Sequence, residues 1–273
     1  MTKSNDEVRA QVREEYGKVA RNAPSCCGSG CCGTSKAEDS LQLGYSAEDL
    51  ESVPEGANMG LGCGNPQIIA SIRDGEIVLD LGAGGGFDCF LAAKRVGFMG
   101  RVIGVDMTPD MVSKARANAK KLGVQNVSFR LGEIEHLPVP DSEVDVIISN
   151  CVINLSPDKA AVFKEAFRVL KEDGRLAISD VVAIKDLPEC FQDNVAALTG
   201  CVSGAVSVHT LYHLLADAGF ERIEINVRPD SREFIRDWFP GSGIEEYVAS
   251  ATIEAVKPDR GAWRGNSRFV DLC

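Results

Sequence analysis

Seven of the ten cysteines stand in settings that suggest chemistry rather than packing. Four of them form a tight group, CCGSGCC, at residues 26–32. Three more lie in separate glycine-rich or apolar segments: Cys63 in GLGCGNP, Cys151 in SNCVINL and Cys201 in TGCVSGA. Thiolates are soft anionic ligands that select soft metals and metalloids. The pattern therefore predicts a site for a thiophilic atom.

A glycine-rich turn, LDLGAGGG at 79–86, could bind a nucleotide-like cofactor. Glycine lets backbone N–H groups and a helix N-terminus approach a ligand closely. The order G-x-G-x-G, with Phe87 where a dinucleotide fingerprint requires glycine, disfavours a pyrophosphate. Asp80 suits an ammonium group, and Asp106 lies where an acid accepts hydrogen bonds from ribose hydroxyls. The motif predicts S-adenosylmethionine, whereas a plain tight turn with Asp106 as a strand-end cap is the alternative.

The segment GEIEHLP at 132–138 supplies an apolar side chain and carboxylates where an adenine ring would lie against the sheet. Glu135 is a candidate acceptor for the exocyclic amine of adenine, and Glu133 is the competing candidate. Solvated loop charges are the alternative explanation for both residues.

Cys63, Cys151 and Cys201 are expected to converge on one cleft. Cys151 follows the apolar run VDVIISN, so it lies at the carboxyl edge, where doubly wound sheets bind ligands. Cys201 lies where a cover over that crevice is expected, and Cys63 stands between two glycines. Three converging thiols match trigonal As(III), which keeps a lone pair. That lone pair needs proximity to a sulfonium methyl group, and no general base, to react.

The group at 26–32 could be a zinc knuckle, but it lacks the usual C-x2-C spacing and a second separated pair. Adjacent thiols on a mobile loop suit a thiol relay better, because such thiols can attack a disulfide and be reduced again. We therefore expect residues 22–40 to be mobile unless a thiol bond or a bound ion holds them.

The remaining cysteines, and two of the histidines, have simpler explanations. Cys89, Cys190 and Cys273 are expected to behave as small buried hydrophobes. His209 and His213 stand four residues apart and could face a metal, but an amphipathic helix with exposed polar residues explains them as well.

From Glu76 onward, predicted strands alternate with predicted helices, and these elements must position the residues above. The apolar runs at 77–81, 101–106 and 144–150 are predicted strands, and the segments at 87–97 and 109–123 are predicted helices. Apolar strands separated by amphipathic helices predict an α/β fold with a doubly wound, mainly parallel sheet covered on both faces. Beyond Asp186 the pattern predicts a carboxyl-terminal α+β lobe. Its predicted elements are helices at about 187–199 and 207–218, a strand at 222–227 and a helix within 243–256.

The 273 residues are enough for one catalytic unit with three parts. We expect a charged helix and a cysteine-rich loop at 1–40, a cofactor-binding domain at 41–186 and a substrate lobe at 187–273. The net charge of -11 opposes binding to nucleic acid or to an anionic membrane. Because the chain has no apolar stretch of roughly 20 residues, we expect it to be cytoplasmic. We also expect a monomer.

The chain resembles the arsenite S-adenosylmethionine methyltransferases. The resemblance runs from about Val12 to about Lys257 and rests on the segments at 44–66, 78–93, 100–111, 132–159 and 200–205. Many methyltransferases share the glycine motif, whereas the segments that contain Cys63, Cys151 and Cys201 are much narrower signatures.

The resemblance implies a class I methyltransferase that converts As(III) into mono- and dimethyl products, with a thiol such as glutathione or thioredoxin as reductant. It implies that Cys63, Cys151 and Cys201 bind arsenic and that Cys63 forms a transient disulfide with a loop cysteine. We favour Cys32, which lies closest in sequence. The expected cofactor contacts, besides Asp80, are Gly82, Ala83, Gly84, Asp106, Met107, Ile134, Glu135 and Asn150.

Two other functions stay open from the sequence. A carbon methyltransferase that acts on a quinone or a sterol would share the generic fold, but its activity would survive Cys→Ser changes. A metalloid sensor would bind the cofactor and its ligand without forming a product.

Overall fold

The computed structural model describes residues 4–21, 40–54, 56–188, 191, 201–259 and 261. Seven strands form one sheet in the order β3-β2-β1-β4-β5-β7-β6. The strands are β1 Ile77–Leu81, β2 Arg101–Asp106, β3 Val127–Leu131, β4 Val144–Asn150, β5 Leu170–Ala183, β6 Glu221–Arg228 and β7 Val248–Val256.

The first five strands run parallel, and β7 pairs antiparallel with both β5 and β6. The chain winds from β1 towards β3 on one side and from β4 towards β5 on the other. The strand order therefore reverses between β1 and β4, which opens a crevice at their carboxyl ends. This arrangement confirms the predicted doubly wound, mainly parallel α/β fold.

Eight α-helices are defined within the described residues. The two helices that follow β1 and β2 lie at the positions predicted from the sequence. Helix α5 has Pro109 in its first turn and ends at Gly123, which has a φ of +67° that favours glycine. The helices are α1 Asn5–Arg21, α2 Ala47–Glu51, α3 Pro66–Ala70, α4 Phe87–Val96, α5 Pro109–Leu122, α6 Lys159–Val169, α7 Val208–Ala218 and α8 Arg232–Ile235.

Both faces of the sheet are buried. Leu79 of β1 packs in a cluster that contains Phe163 of α6 and Leu215 of α7. Its neighbour Val78 points the other way, into a cluster that contains Phe90 of α4. Because successive side chains of a strand point to opposite faces, an apolar run such as IVLDL fits a strand covered on both sides.

The predicted helix within 243–256 is wrong. Ile244–Glu246 forms a single 3₁₀ turn, and Val248–Val256 forms strand β7. The strand conformation of 248–256 is stabilised because β7 lies between β5 and β6, and both of its edges form backbone hydrogen bonds. The predicted boundary at 187 does not coincide with an edge of the sheet, since β6 and β7 extend it.

The other carboxyl-terminal elements agree with the sequence where they are described. Helix α7 and strand β6 lie at the predicted positions. Most of the helix predicted at 187–199 lies outside the described residues. No helix in the described parts of the chain has both the length and the apolar character needed to cross a membrane.

Candidate active site

A cavity of about 1090 Å³, open to solvent, lies at the carboxyl ends of β1, β2 and β4. It is at the point where the strand order reverses, as expected for a ligand site in this fold. The cavity brings together all nine residues predicted to contact the cofactor: Asp80, Gly82, Ala83, Gly84, Asp106, Met107, Ile134, Glu135 and Asn150.

The glycine turn forms the floor of this cavity and leaves room only for backbone. Gly82 has a φ of +72°, and a Cβ added there would collide with Val152. The N–H of Gly84 donates to Oδ2 of Asp106 at 3.0 Å. The turn therefore brings backbone N–H groups and a carboxylate to one wall, which fits a ligand with ribose hydroxyls.

Asp106 is fixed at the end of β2 by two backbone donors. Besides Gly84, the N–H of Thr108 donates to its Oδ1 at 2.8 Å. Burial raises the pKa of Asp106, and these hydrogen bonds oppose that rise. A carboxylate offers about four acceptor sites, so Asp106 can still accept hydrogen bonds from a ligand.

Asp80 is a buried carboxyl group in the wall of the cavity. The thiol of Cys89 donates to its Oδ2 at 3.2 Å. Burial, and then the charge of Asp88, raise the pKa of Asp80 well above its usual range. A cation in the cavity would offset this cost, which fits a ligand that carries an ammonium and a sulfonium group.

Of the two candidate acceptors for adenine, Glu135 lies in the cavity wall. It accepts a hydrogen bond from Oγ of Ser156 at 2.6 Å. Nε of Arg9 lies 3.3 Å from its Oε1. Glu133 pairs with Arg13 nearer to the surface. The geometry favours Glu135 for the contact.

The three cysteines singled out from the sequence meet beside this cavity. Cys63 and Cys151 form a disulfide, and the thiol of Cys201 donates to the carbonyl oxygen of Cys151 at 2.7 Å. All three are buried in one apolar cluster. Cys151 also lines the cavity, so the thiol cluster and the cavity share a wall.

Asp180 is the charged group closest to this cluster. One of its carboxylate oxygens and the sulfurs of Cys63 and Cys151 all lie within 4.8 Å of one another. Burial raises the pKa of Asp180 to about 6, against hydrogen bonds from the backbone and the charge of Lys159. Burial, and then the charge of Asp180, raise the pKa of the Cys201 thiol well above its usual range.

The remaining cysteines fall into two groups. Cys89 is fully buried in the core, as its packing interpretation predicts. Cys190, Cys273 and the whole group at 26–32, including the favoured relay residue Cys32, lie outside the described residues. Because Cys63 is bonded to Cys151 here, its pairing with Cys32 would need a thiol–disulfide exchange and stays a prediction.

His209 and His213 lie on the exposed face of α7, as the amphipathic interpretation predicts. Their Nε2 atoms are 3.2 Å apart, a hydrogen-bond distance.

Sequence reasoning missed the part of the cavity that comes from α1 and from the segment before α2. Arg9, Val12 and Tyr16 of α1 line the cavity, and so does Tyr45. Val12 also packs in the cluster that contains the thiols. No motif marks these residues, because α1 is mostly charged and only Val12 and Gly17 of it are buried.

Known proteins resemble the chain over most of its length. A family model described as a methyltransferase domain matches residues 72–219. The arsenite methyltransferase of Halobacterium salinarum is 52% identical over 265 residues, which cover 93% of this chain and 68% of that protein. The chain belongs to the arsenite methyltransferase family. This membership agrees with the resemblance expected from the cysteine segments.

Two further members of the arsenite methyltransferase family bear this out. The enzyme of Aquipseudomonas alcaligenes is 40% identical over 220 residues, which cover 78% of this chain and 62% of that protein. The solved structure of an arsenic(III) S-adenosylmethionine methyltransferase from Chlamydomonas reinhardtii is 35% identical, with a TM-score of 0.59, and the match covers 82% of this chain and 74% of that one. The chain thus spans about two thirds of its curated relatives.

Proposed function

We propose that this protein methylates trivalent arsenic with S-adenosylmethionine as methyl donor, converting arsenite into mono- and dimethylated arsenicals. One observation carries the proposal: Cys151 belongs both to the wall of the cavity at the ends of β1, β2 and β4 and to the buried thiol cluster. A soft atom held by these sulfurs would lie next to whatever the cavity binds. Names of the family members that the chain matches support the same substrate.

Arsenic binding needs the Cys63–Cys151 disulfide to be opened. Two electrons and two protons from a thiol reductant such as glutathione or thioredoxin would break the S–S bond and leave two thiols. The thiol of Cys201 already touches the carbonyl of Cys151. Three thiolates from these residues would then complete a trigonal site for As(III), a soft acceptor.

The cavity would hold the cofactor through the groups described above. Asp106 would accept from ribose hydroxyls, Glu135 from adenine, and Asp80 would face the cationic end of the molecule. When bound, S-adenosylmethionine supplies an electrophilic methyl group on a sulfonium sulfur, which the lone pair of arsenic can attack. The chain's own contribution is to hold two reactants in contact and to exclude water, so no general base is needed.

Thiol cycling would restore the substrate after each transfer. Methylation by a lone pair formally oxidises arsenic, and two thiols that become a disulfide can reduce it again. We assign this relay to Cys63 and Cys32, supported by the cysteine group at 26–32. The reductant requirement suits the cytoplasm, where thiols are kept reduced, and the lobe at 187–273 would cover the arsenic side of the site.

The test is transfer of a labelled methyl group. Wild-type protein with arsenite, glutathione or thioredoxin, and methyl-labelled S-adenosylmethionine should yield labelled arsenicals on chromatography. Cys201→Ser should abolish this transfer while the affinity for the cofactor stays within about threefold, because Cys201 lies outside the cavity wall. Cys89→Ser is the matched control, since it keeps a donor for Asp80 and should stay active.

The other two functions give different results in the same assay. A carbon methyltransferase would lose nothing through Cys201→Ser and would label a quinone or sterol instead of arsenic. A sensor would bind the cofactor and arsenite but release no labelled product. Absence of labelled arsenic with bound cofactor would reject the proposal.

A further inference from the structure

One side-chain amide joins the two halves of the thiol pair. Oδ1 of Asn150 accepts from the N–H of Cys63 at 3.0 Å, and its Nδ2 donates to the carbonyl of Gly64 at 2.8 Å. Asn150 directly precedes Cys151 in the chain. The same residue therefore fixes the backbone on both sides of Cys63 and anchors it to the neighbour of its sulfur partner.

Tyr45 adds a further hydrogen bond to this amide, whose direction the Cys63 N–H and the Gly64 carbonyl already set. Its hydroxyl donates to Oδ1 of Asp88 at 2.8 Å, so its oxygen is left to accept from Nδ2 of Asn150 at 3.0 Å. With Nδ2 turned towards Tyr45, Oδ1 faces the N–H of Cys63. The donor direction thus runs from Cys63 through Asn150 and Tyr45 to the carboxylate of Asp88, which can only accept when ionised.

Both ends of this chain of hydrogen bonds are buried and held. Nε2 of Gln67 donates to the carbonyl of Asp88 at 2.6 Å and to its Oδ1 at 3.3 Å. At the other end, the carbonyl of Cys63 accepts from Oγ of Ser250 at 2.8 Å. Tyr45 itself is only 4% exposed. Because Tyr45 and Asp88 are buried, each hydrogen bond between them and their neighbours is stronger than it would be in water.

We propose that Tyr45 is a positioning residue, which acts through the Asn150 amide to hold Cys63 at the distance from Cys151 that the thiol pair needs. The consequence for the disulfide is independent of any activity. The consequence for arsenite rests on the proposed function, since the same two sulfurs would then share one arsenic atom. No motif of the sequence singles Tyr45 out.

The proposal predicts a change in the effective concentration of one thiol at the other. Without the hydroxyl, Asn150 loses one of its hydrogen-bond acceptors. Its amide keeps its direction, set by the Cys63 N–H and the Gly64 carbonyl, but is held less firmly, so the Cys63 segment moves more widely. Opening the disulfide then costs less, and closing it again is less favourable. A neutral buried hydrogen bond contributes enough to expect a shift of about tenfold in the equilibrium, which is about 30 mV for this two-electron couple.

The experiment equilibrates the full chain in buffers of reduced and oxidised dithiothreitol. The S–S bond of Cys63–Cys151 breaks as dithiothreitol gives up two electrons and two protons and closes to its cyclic disulfide. Free thiols are trapped by alkylation, and mass spectrometry of peptides resolves Cys63 and Cys151 from the other cysteines. Tyr45→Phe should be reduced about tenfold more readily than wild type, whereas exposed Tyr212→Phe should match wild type within twofold.

A second variant separates positioning from simple packing. Asp88→Asn keeps the shape and, with Gln67 donating to the remaining oxygen, replaces Oδ2 by an NH2 group. That group would lie 3.1 Å from the Tyr45 hydroxyl and 3.5 Å from Nδ2 of Asn150. Because two donors then face each other, the variant should shift the same equilibrium as Tyr45→Phe. If Tyr45 only fills space, Asp88→Asn leaves the equilibrium unchanged. A shift of less than twofold in both variants overturns the proposal, and a Tyr45→Phe chain that does not fold leaves the Asp88→Asn result to decide.

An activity measurement adds a readout that distinguishes the two proposals. With Tyr45→Phe and saturating S-adenosylmethionine, the KM for arsenite should rise about tenfold while kcat changes by less than threefold. Wild-type protein that fails to methylate arsenite would defeat the proposed function and leave the redox result standing. An unchanged KM together with an unchanged redox equilibrium would defeat the role of Tyr45.

Discussion

Cys151 and Cys201 share a backbone conformation that residues with a Cβ rarely adopt. Their φ angles are +56° and +61°, in the left-handed region that favours glycine. Hydrogen bonds hold them there: the N–H of Cys151 donates to the carbonyl of Ser179 at 2.8 Å, and the Cys201 thiol donates to the carbonyl of Cys151. Such conformations persist where the surroundings over-determine them, which is common at functional sites.

The single substitution Asp106→Asn should weaken the binding of S-adenosylmethionine about tenfold. The substitution keeps one acceptor but removes the charge that strengthens hydrogen bonds from ribose hydroxyls. Because burial raises the pKa of Asp106, wild-type affinity should also fall as the pH drops through that raised value. Isothermal titration calorimetry across pH checks both effects.

The control for this change is Asp217→Asn on the exposed face of α7. It should bind the cofactor as wild type does at every pH. An Asp106→Asn protein with wild-type affinity and wild-type pH dependence would contradict the assignment of Asp106 to the ribose.

Helix α1 covers the cavity although little apolar surface attaches it. Its contacts with the sheet domain include ion pairs of Arg9 with Glu133 and Glu135, and of Arg21 with Asp110. Side chains of α1 also line the cavity. A cofactor bound there would contact α1, so these ion pairs should affect how long it stays.

Arg9→Gln should therefore raise the dissociation constant of S-adenosylmethionine about tenfold, mainly through faster dissociation. The Arg9 side chain is 12% exposed and that of Glu135 is 3% exposed. Loss of the Arg9 charge therefore leaves a buried carboxylate without its cation, which costs more free energy than loss of a surface ion pair. Lys18→Gln is the matched control, because Lys18 pairs within α1 with Glu14 and Glu15. Stopped-flow dissociation rates that are equal in the two variants would refute this.

The sequence predicted the elements whose apolar pattern is unambiguous. The runs at 77–81, 101–106 and 144–150 became β1, β2 and β4 at those bounds. The helix predicted within 243–256 is wrong, although the β7 segment contains alanine and glutamate, which are good helix formers. Its strand conformation depends on β5 and β6, which the local sequence does not contain.

The candidate site, too, could be predicted only where the local sequence marks its residues. Cys63, Cys151 and Cys201 could be predicted because glycines and a strand end mark their positions. The Cys63–Cys151 bond could not, since it depends on how the segment before α3 folds over the end of β4. Arg9 and Tyr45 could not be predicted as site residues, because a charged helix and a lone tyrosine carry no motif. Only the tertiary structure brings them to the cavity.

For the molecule as a whole, the disulfide closes a long loop around the cofactor part of the sheet. Cys63 and Cys151 are 88 residues apart, and in the chain-entropy model a bridge over such a loop stabilises the folded state by about 4–5 kcal/mol. Urea unfolding should show that much loss when dithiothreitol opens the bond. Cys63→Ser should unfold at the same urea concentration with and without reductant. If complete reduction leaves the urea midpoint of the wild type unchanged, the prediction is wrong.

The buried Asp180 makes global stability depend on pH in an unusual direction. Its pKa rises from 3.8 in the unfolded chain to about 6 in the folded protein, so folding takes up a proton between these values. The free energy of unfolding contributed by Asp180 therefore falls as the pH rises through this window and is constant above it. Between pH 5 and pH 7.5 the loss is about 1.4 kcal/mol, since one pKa unit lies between pH 5 and the folded value.

Asp180→Asn removes this proton and should remove the dependence. With the disulfide intact and ionic strength fixed, the difference in unfolding free energy between wild type and Asp180→Asn should shift by about 1.4 kcal/mol towards the variant from pH 5 to pH 7.5. Asp74→Asn, at an exposed position, should show a constant difference. A difference for Asp180→Asn that stays flat, or that shifts towards wild type at high pH, would mean that the carboxyl is ionised in the folded protein throughout, with Lys159 offsetting its burial.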